Sequence, residues 1–351
     1  MGRTTTERLS FVDLFAGCGG LSLGLLNAGW KGIFAIERCA DAFSTLRHNL
    51  VDAKAHNLGR PRFDWPAWLN IGPYEIRTFI DQHRFELRKV SGEIDLVAGG
   101  PPCQGFSFAG RRTGRDPRND LFKLQVEIVE LLMPAVVLLE NVQGIDITFG
   151  ARSASGKQKQ GRPRRSHSFR IRDALVEHGY VAQQGMIRAA DFGVPQIRPR
   201  FYTIGFRKDL FAMLGTPSFF DEIARLRIDF LKAKGLPTNQ NVTTGDAISD
   251  LEVTGRGTRV CEDQESPPGF REIIYEGPVS AYQMLMHQGM NGLSPNSLRL
   301  VQHRPDTVAK YRNVLSSCRQ GVQLTKEDRR RLGIKKTVLA PLAKDRPSHT
   351  L

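Results

Sequence analysis

The sequence predicts a doubly wound, mostly parallel α/β domain followed by a second, irregular one, and three observations predict it. Short apolar runs alternate with helical patterns over the first 145 residues, the arrangement that winds a parallel sheet with crossover helices. A glycine-rich turn, FAGCGG, follows the first apolar run, and an acidic residue, Glu37, closes the second. Beyond Leu210 the alternation stops, and turn residues with isolated Arg and Lys replace it.

Taken in order, SFVDLF (Ser10 to Phe15), GIFAIE (Gly32 to Glu37), IDLVAG (Ile94 to Gly99) and AVVLLE (Ala135 to Glu140) read as buried strands. Leu121, Leu124, Ile128, Leu131 and Leu132 recur at helical spacing, so Asn119 to Met133 reads as an amphipathic helix stopped before Pro134. From Ala151 to Arg172 there are eight Lys or Arg and no Asp or Glu; the segment reads as a solvated loop or as a phosphate-contacting arm. Ile171 to His178 then looks helical, and YVAQQGMI (Tyr180 to Ile187) and RFYTIGF (Arg200 to Phe206) look like strands. The stretch from about Leu210 to Lys344, with exposed polar segments such as Thr238 to Thr244, reads as the second domain. The expected division is 1–209, with a basic loop at 151–172, then 210–344, then an incomplete return to the first domain at 345–351.

The 351 residues are 40% hydrophobic and 25% charged, a globular composition that excludes disordered, collagenous and coiled-coil classes. No run approaches the roughly 18 apolar residues of a membrane helix, and MGRTTTERLSF lacks the apolar core of a signal peptide. A soluble, non-exported chain is expected. Gly2 and Thr6 fit a loose myristoylation pattern that arises often by chance, and the segment reads as a frayed start. The five cysteines never form a C-x-x-C pair, so neither a disulfide framework nor a zinc site is indicated, and a reducing compartment follows. A net charge of +14 is the footprint of a nucleic-acid binder, although ribosome-associated and lipid-surface proteins share it.

Four segments carry chemistry. The turn from Phe15 to Gly24 lets a ligand approach the backbone, but as a dinucleotide fingerprint it fails at the third glycine, where Ser22 stands. Glu37, at the end of the second strand, lies where such folds bind ribose hydroxyls, so turn and carboxylate together suggest an adenosine cofactor. The alternative is a turn needed only for strand-to-helix packing. GGPPCQGFSFAGRRTGRDPRND (Gly99 to Asp120) begins at a strand's carboxyl end, the ligand-binding edge of open α/β sheets. Pro101 and Pro102 stiffen the exit, so Cys103 is presented on a fixed stalk. A lone Cys is often a small buried hydrophobe, yet here Arg111, Arg112 and Arg115 favour a reactive thiolate. Glu140, in ENV, is placed by an adjacent strand at the same rim as an acid beside the nucleophile, or else caps a loop. Gln196, Arg198 and Arg200 alternate into a strand, and period two puts them on one face, to bind a carbonyl oxygen or phosphate or to solvate an edge.

In this order, FVDLFAGCGG, GGPPCQGFS, ENV and DFGVPQIRPRFYTIGF resemble the DNA cytosine-5 methyltransferase family, with PRNDLF (Pro117 to Phe122) matching the helix after the nucleophile loop. The resemblance covers residues 10 to 208 and resumes faintly at RPSHTL. It implies the S-adenosylmethionine-dependent methyltransferase fold with a target-recognition domain, double-stranded DNA as partner, no metal and no membrane. By position it implies that Phe15, Gly17 and Gly19 line the S-adenosylmethionine site, that Glu37 holds the ribose, and that Pro101 and Leu121 touch the adenosine or methionine portion. Cys103 would attack carbon 6 of a flipped cytosine, and Glu140 would bond ring nitrogen 3 and the exocyclic amine. Arg198 and Arg200 would grip the base oxygen and its phosphate, with Gln104 and Ser107 in the loop that closes over the target. S-adenosylhomocysteine would be the product, and the setting a bacterial, cytoplasmic, nucleoid-associated restriction-modification system.

Two departures stand out. Val51 to Val90 is longer and more irregular than the family pattern and leaves Glu75 and Asp81 as candidate adenine ligands. The family also continues past the RPSHTL-like element into a helix and a Gly-Asn motif beside the cofactor, so a second polypeptide or a longer chain is expected to supply that piece. A transfer-RNA methyltransferase and a nucleic-acid-binding remnant without turnover are the competing readings; the long stretch after Leu210 favours duplex reading.

Overall fold

The computed structural model describes residues 8–52, 62–102, 121–146, 166–215, 218–263, 266–290, 292, 295, 298–335 and 340–349. Contacts divide the chain into two compact units, Met1–Ile187 with Pro199–Glu222, and Arg188–Arg198 with Ile223–Leu351.

The first unit runs β1 (Ser10–Leu14), α1 (Gly20–Asn27), β2 (Lys31–Ile36), α2 (Ala40–Leu50), α3 (Ile76–Lys89), β3 (Leu96–Gly99), α4 (Phe122–Leu132), β4 (Val136–Val142), α5 (His167–Glu177) and β5 (Tyr180–Arg188); past the short strand β6 (Gln196–Ile197) it resumes with β7 (Pro199–Arg207) and α6 (Lys208–Met213). Its six-stranded sheet has the order β2-β1-β3-β4-β7-β5. β1 to β4 are parallel neighbours, and β7 runs antiparallel to β4. A parallel strand covered on both faces reads as continuous apolar sequence, and all five residues of β1 are buried. Phe34 of β2 meets Trp68 and Phe79 at ring distances of 5.9 and 5.6 Å, packing the 62–75 connection and α3 onto the sheet. α4 buries eight of its eleven residues; it ends at Met133, in left-handed conformation at φ 47°, because Pro134 cannot continue a helix. Glu127 of α4 takes Arg77 and Arg84 of α3 at 2.8 and 2.5 Å, tying the two helices together. Among the described residues no helix is long and apolar enough to cross a membrane.

β4 does not stop at Glu140 but continues to Val142, because β7 pairs with it through Val142↔Arg200. The basic loop does not extend to Arg172 either. α5 starts at His167 and buries His167, Ser168, Ile171 and Leu175, with Ser168 Oγ donating to Asp146 Oδ1 at 2.6 Å; residues 151–165 lie outside the described residues.

The second unit is less irregular than its sequence implies. α7 (Phe219–Ala233) leads into it; α8 (Thr244–Ile248), β8 (Thr258–Val260), β9 (Arg271–Ile273), α9 (Ala281–Met286), α10 (Pro305–Ser317), α11 (Lys326–Arg331) and β10 (Ser348–His349) follow. β8 and β9 form an antiparallel ribbon, and β10 pairs in parallel with β6. A small core gathers Leu231, Leu236 and Val242. The 238–244 stretch is therefore not wholly exposed: Val242 and Thr244 are buried, and Thr243 closes a capping box with Asp246 at the start of α8.

Candidate active site

The site is built at the carboxyl ends of β1 to β4. Leaving β1, Phe15 and Gly17 take left-handed conformations at φ 58° and 57°, and Gly19 follows at φ 88° as the N-cap of α1. A bulky residue at positive φ is strained, and Phe15 is held so against the site cavity. Gly19 is fixed by packing as well as by φ, since a Cβ there would lie 2.8 Å from Leu50 Cδ1 of α2, whereas Gly17 faces open space. The amide N–H of Gly17 donates to Glu37 Oε2 at 2.9 Å, and that of Cys39 to Glu37 Oε1 at 2.7 Å. Two backbone donors thus clamp the Glu37 carboxylate just past the end of β2, at the wall of a cavity.

That cavity, about 260 Å³, is lined by Phe15, Ile36, Glu37, Tyr74, Glu75, Ile76, Gly100, Pro102 and Leu121 among others. Aromatic and aliphatic walls beside the fixed Glu37 carboxylate suit a flat heteroaromatic group joined to a sugar diol. Glu75 caps α3, accepting from the Thr78 amide at 3.0 Å, and so stands at the cavity edge. Asp81 lies within α3 and is exposed. Pro101 is buried between Gly100 and Pro102.

On the same rim Gly99 of β3 is paired with Leu139 of β4, which sets Gly100 against Glu140. A Cβ on Gly100 would sit 3.2 Å from Glu140 Oε2, so glycine leaves room for the carboxylate. Gly99 is equally constrained, with the Leu14 carbonyl oxygen and the Gln125 amide within 3.0 Å of a Cβ. Glu140 is paired with Tyr202 and Val142 with Arg200, which makes Glu140 and Arg200 diagonal neighbours on one face. Arg200 Nε lies 2.8 Å from Glu140 Oε1. The pair is part-buried, with side chains 15% and 29% exposed, where attraction is less screened than at the surface. Arg200 Nη1 donates to the Pro199 carbonyl at 2.9 Å, fixing the guanidinium.

The expected single face for Gln196, Arg198 and Arg200 is not formed. Gln196 belongs to β6 and pairs with Ser348, and a new strand starts at Pro199; Arg198, between them, is exposed. Cys103, Gln104 and Ser107 lie outside the described residues; the cavity wall reaches Pro102, one residue before Cys103. Sequence reasoning passed over Asp13. It is fully buried in β1 and accepts from Ser22 Oγ of α1 at 2.5 Å, beneath the glycine turn. Burial pushes its carboxyl up to about 7, against the Ser22 hydrogen bonds and with a small contribution from the charge of Glu37. The signal was an acid inside an apolar strand. Tyr74 and Ile76 carried no comparable signal.

The profile of the C-5 cytosine-specific DNA methylase family matches residues 9–264. Type II methyltransferase M.NaeI of Lentzea aerocolonigenes is 31% identical over 245 residues, 70% of this chain and 47% of its own length. M.DdeI of Desulfomicrobium norvegicum is 32% identical over 283 residues, 78% and 56% of the two chains. The chain therefore spans about half the length of these curated relatives. It covers 88% of Type II methyltransferase M.AquIA of a Picosynechococcus species, at 31% identity over 243 residues. Among solved structures, one described as a DNA modification methyltransferase encoded within an Escherichia coli prophage shares the fold at a TM-score of 0.59 and 21% identity, over 98% of this chain and 82% of that one.

Proposed function

This chain belongs to the C-5 cytosine-specific DNA methylase family, and we propose that it transfers a methyl group from S-adenosylmethionine to carbon 5 of a flipped cytosine in a specific duplex sequence, as the modification enzyme of a Type II restriction-modification system. The observation that carries the proposal is the Glu140–Arg200 pair at 2.8 Å, on the rim of a cavity suited to adenosine and beside the strand that leads to Cys103.

Carbon 5 of cytosine is a weak nucleophile, so the Cys103 thiolate adds to carbon 6, forming a C–S bond while the displaced electron pair moves toward nitrogen 3. Glu140, with Oε1 held by Arg200, keeps Oε2 to give a proton to ring nitrogen 3 as charge develops there and to accept from the exocyclic amine, and takes the proton back when the ring is restored. The enamine so formed makes carbon 5 nucleophilic. S-adenosylmethionine, when bound, supplies the electrophilic methyl group. Loss of the carbon 5 proton to a base and expulsion of the thiolate then restore the ring and the enzyme. Arg200 serves the base oxygen as well as Glu140, and Arg198 the flanking phosphate. Gln104 and Ser107 belong to the segment that holds the flipped base, since the reacting carbons lie inside the stack until it is flipped.

Glu37 and Phe15 hold the ribose and adenine sides of the cofactor, Glu75 and Ile76 take the adenine edge, and Gly17, Gly19, Pro101 and Leu121 shape the methionine side; S-adenosylhomocysteine leaves as product. α1 is apolar around most of its circumference, with Leu23 exposed, and we assign that face to further polypeptide packing beside the cofactor, from a second chain or a longer one. A transfer of labelled methyl from S-adenosylmethionine to duplex DNA and to transfer RNA, with mapping of the modified base, tests the reading. 5-methylcytosine at one position of one duplex sequence is expected; labelling of RNA alone, or of adenine, overturns it.

A further inference from the structure

Most of the net positive charge of the second unit is concentrated in one part of it. From Ile223 to Leu298 seven Lys or Arg face nine Asp or Glu, a net −2; from Arg299 to Lys335 ten face three, a net +7 and half of the whole chain's +14. α10 lies at the centre of that segment. Only Val314 of its thirteen residues is buried. Val308, Tyr311, Arg312 and Leu315, with Arg304 at the N-cap, recur at steps of three and four and so share one face. That face is open: Leu315 is 57% exposed, and His303 is in ring contact with Tyr311 at 5.9 Å. Among the described residues Arg304, Lys310, Arg312 and Arg319 have no ion-pair partner, whereas the cations of the β8–β9 ribbon are already engaged, Arg259 by Glu272 at 2.7 Å. Of the three acids in the segment, Asp328 is spent locally, on the cap of α11 and on Arg331.

We propose that the exposed face of α10 bearing Arg304, Arg312, Tyr311 and Leu315 grips the sugar-phosphate backbone of duplex DNA, anchoring the unit independently of base sequence while the net-acidic 223–298 part has no backbone role of that kind. Unpaired guanidinium groups interleaved with an aromatic and aliphatic side chains match a polyanion whose sugars are apolar between its phosphates. The inference rests on the methyltransferase reading for its choice of duplex DNA over other polyanions.

The test measures binding of two labelled duplexes of unrelated sequence by anisotropy across a salt series, without cofactor. Arg304→Ala with Arg312→Ala is expected to weaken both duplexes alike, roughly tenfold or more at 0.1 M salt, and to flatten the slope of log K against log salt by about 1.8, the value for two lost phosphate contacts. Arg304→Lys with Arg312→Lys keeps most of the slope, and Lys232→Ala with Lys234→Ala, two exposed cations at the end of α7, leaves it unchanged. An unmoved slope in the Arg-to-Ala variant, an equal change in the Lys232 and Lys234 control, or tighter binding of transfer RNA overturns the assignment. An unmoved slope with altered oligomeric state assigns the face to protein instead. Binding through α10 without any methyl transfer would retain this surface and remove the proposed function; methyl transfer with an unmoved slope would do the reverse.

Discussion

Replacing Asp13 by Asn should make the stability of the first unit less dependent on pH. Asp13 is wholly buried in β1, and its carboxyl titrates at about 7 in the folded chain against 3.8 when free. The folded state therefore holds a proton that the unfolded state has released between these values. Stability falls as pH rises from about 4 to about 7 and stays at the lower level above it. The full penalty is about 4 kcal/mol, at roughly 1.36 kcal/mol for each tenfold change in proton affinity; at pH 5 it is about 1.6 kcal/mol, so roughly 3 kcal/mol separates pH 5 from pH 8. Asn keeps the acceptor for Ser22 Oγ and cannot ionise. Thermal melts of both proteins from pH 5 to pH 8 isolate the residue, because every other group titrates in both. The melting temperature of Asp13→Asn relative to the parent should climb by about 6–12 °C over that range, at roughly 2–4 °C per kcal/mol. Parallel melting curves across the range would refute the buried-acid argument.

Further outcomes are expected at the site and in the basic segment. Glu140→Gln should slow methyl transfer by about a hundredfold or more, the scale of a positioned acid, and Arg200→Met, which removes the group holding Oε1, should lower kcat comparably while cofactor binding by calorimetry is retained. Gly19→Ala places a Cβ 2.8 Å from Leu50 Cδ1 at φ 88°, so urea unfolding should show a loss of about 2–4 kcal/mol from strain and overpacking together. Charge reversal at Arg162, Arg164 and Arg165 should weaken all DNA sequences about equally and flatten the salt dependence of binding, as measured by anisotropy; an unchanged slope makes the segment a solvated insertion.

The sheet was legible because its central strands carry largely apolar runs, as in AVVLLE and in SFVDLF, whose strand is buried throughout despite Ser10 and Asp13. Boundaries were less so: β4 reaches Val142 only because the distant β7 supplies a partner, and no local signal encodes that pairing. α10 was missed because it buries only Val314, and its stripe of Val308, Tyr311 and Leu315 is short, exposed and interleaved with Lys310 and Arg312. At the site, glycines and acids announced themselves by type, and Glu37 fell just past the end of β2 as expected, whereas Glu140 lies two residues inside β4. The pairing of Glu140 with Arg200 across antiparallel strands, and the separation of Arg198 from Arg200 at the break before Pro199, depend on long-range register that spacing alone does not hold.

The central claim is covalent attack by Cys103 on carbon 6 of cytosine. A duplex carrying 5-fluorocytosine at the methylated position tests it most directly, because fluorine cannot leave as a proton does and the adduct cannot be released after methyl transfer. Incubated with S-adenosylmethionine, the parent protein should form a denaturant-stable complex with that duplex, mapped by mass spectrometry to Cys103, and Cys103→Ser should form none while still binding the duplex. Methyl transfer by Cys103→Ser, or turnover of the parent with no trapped complex, would contradict the account.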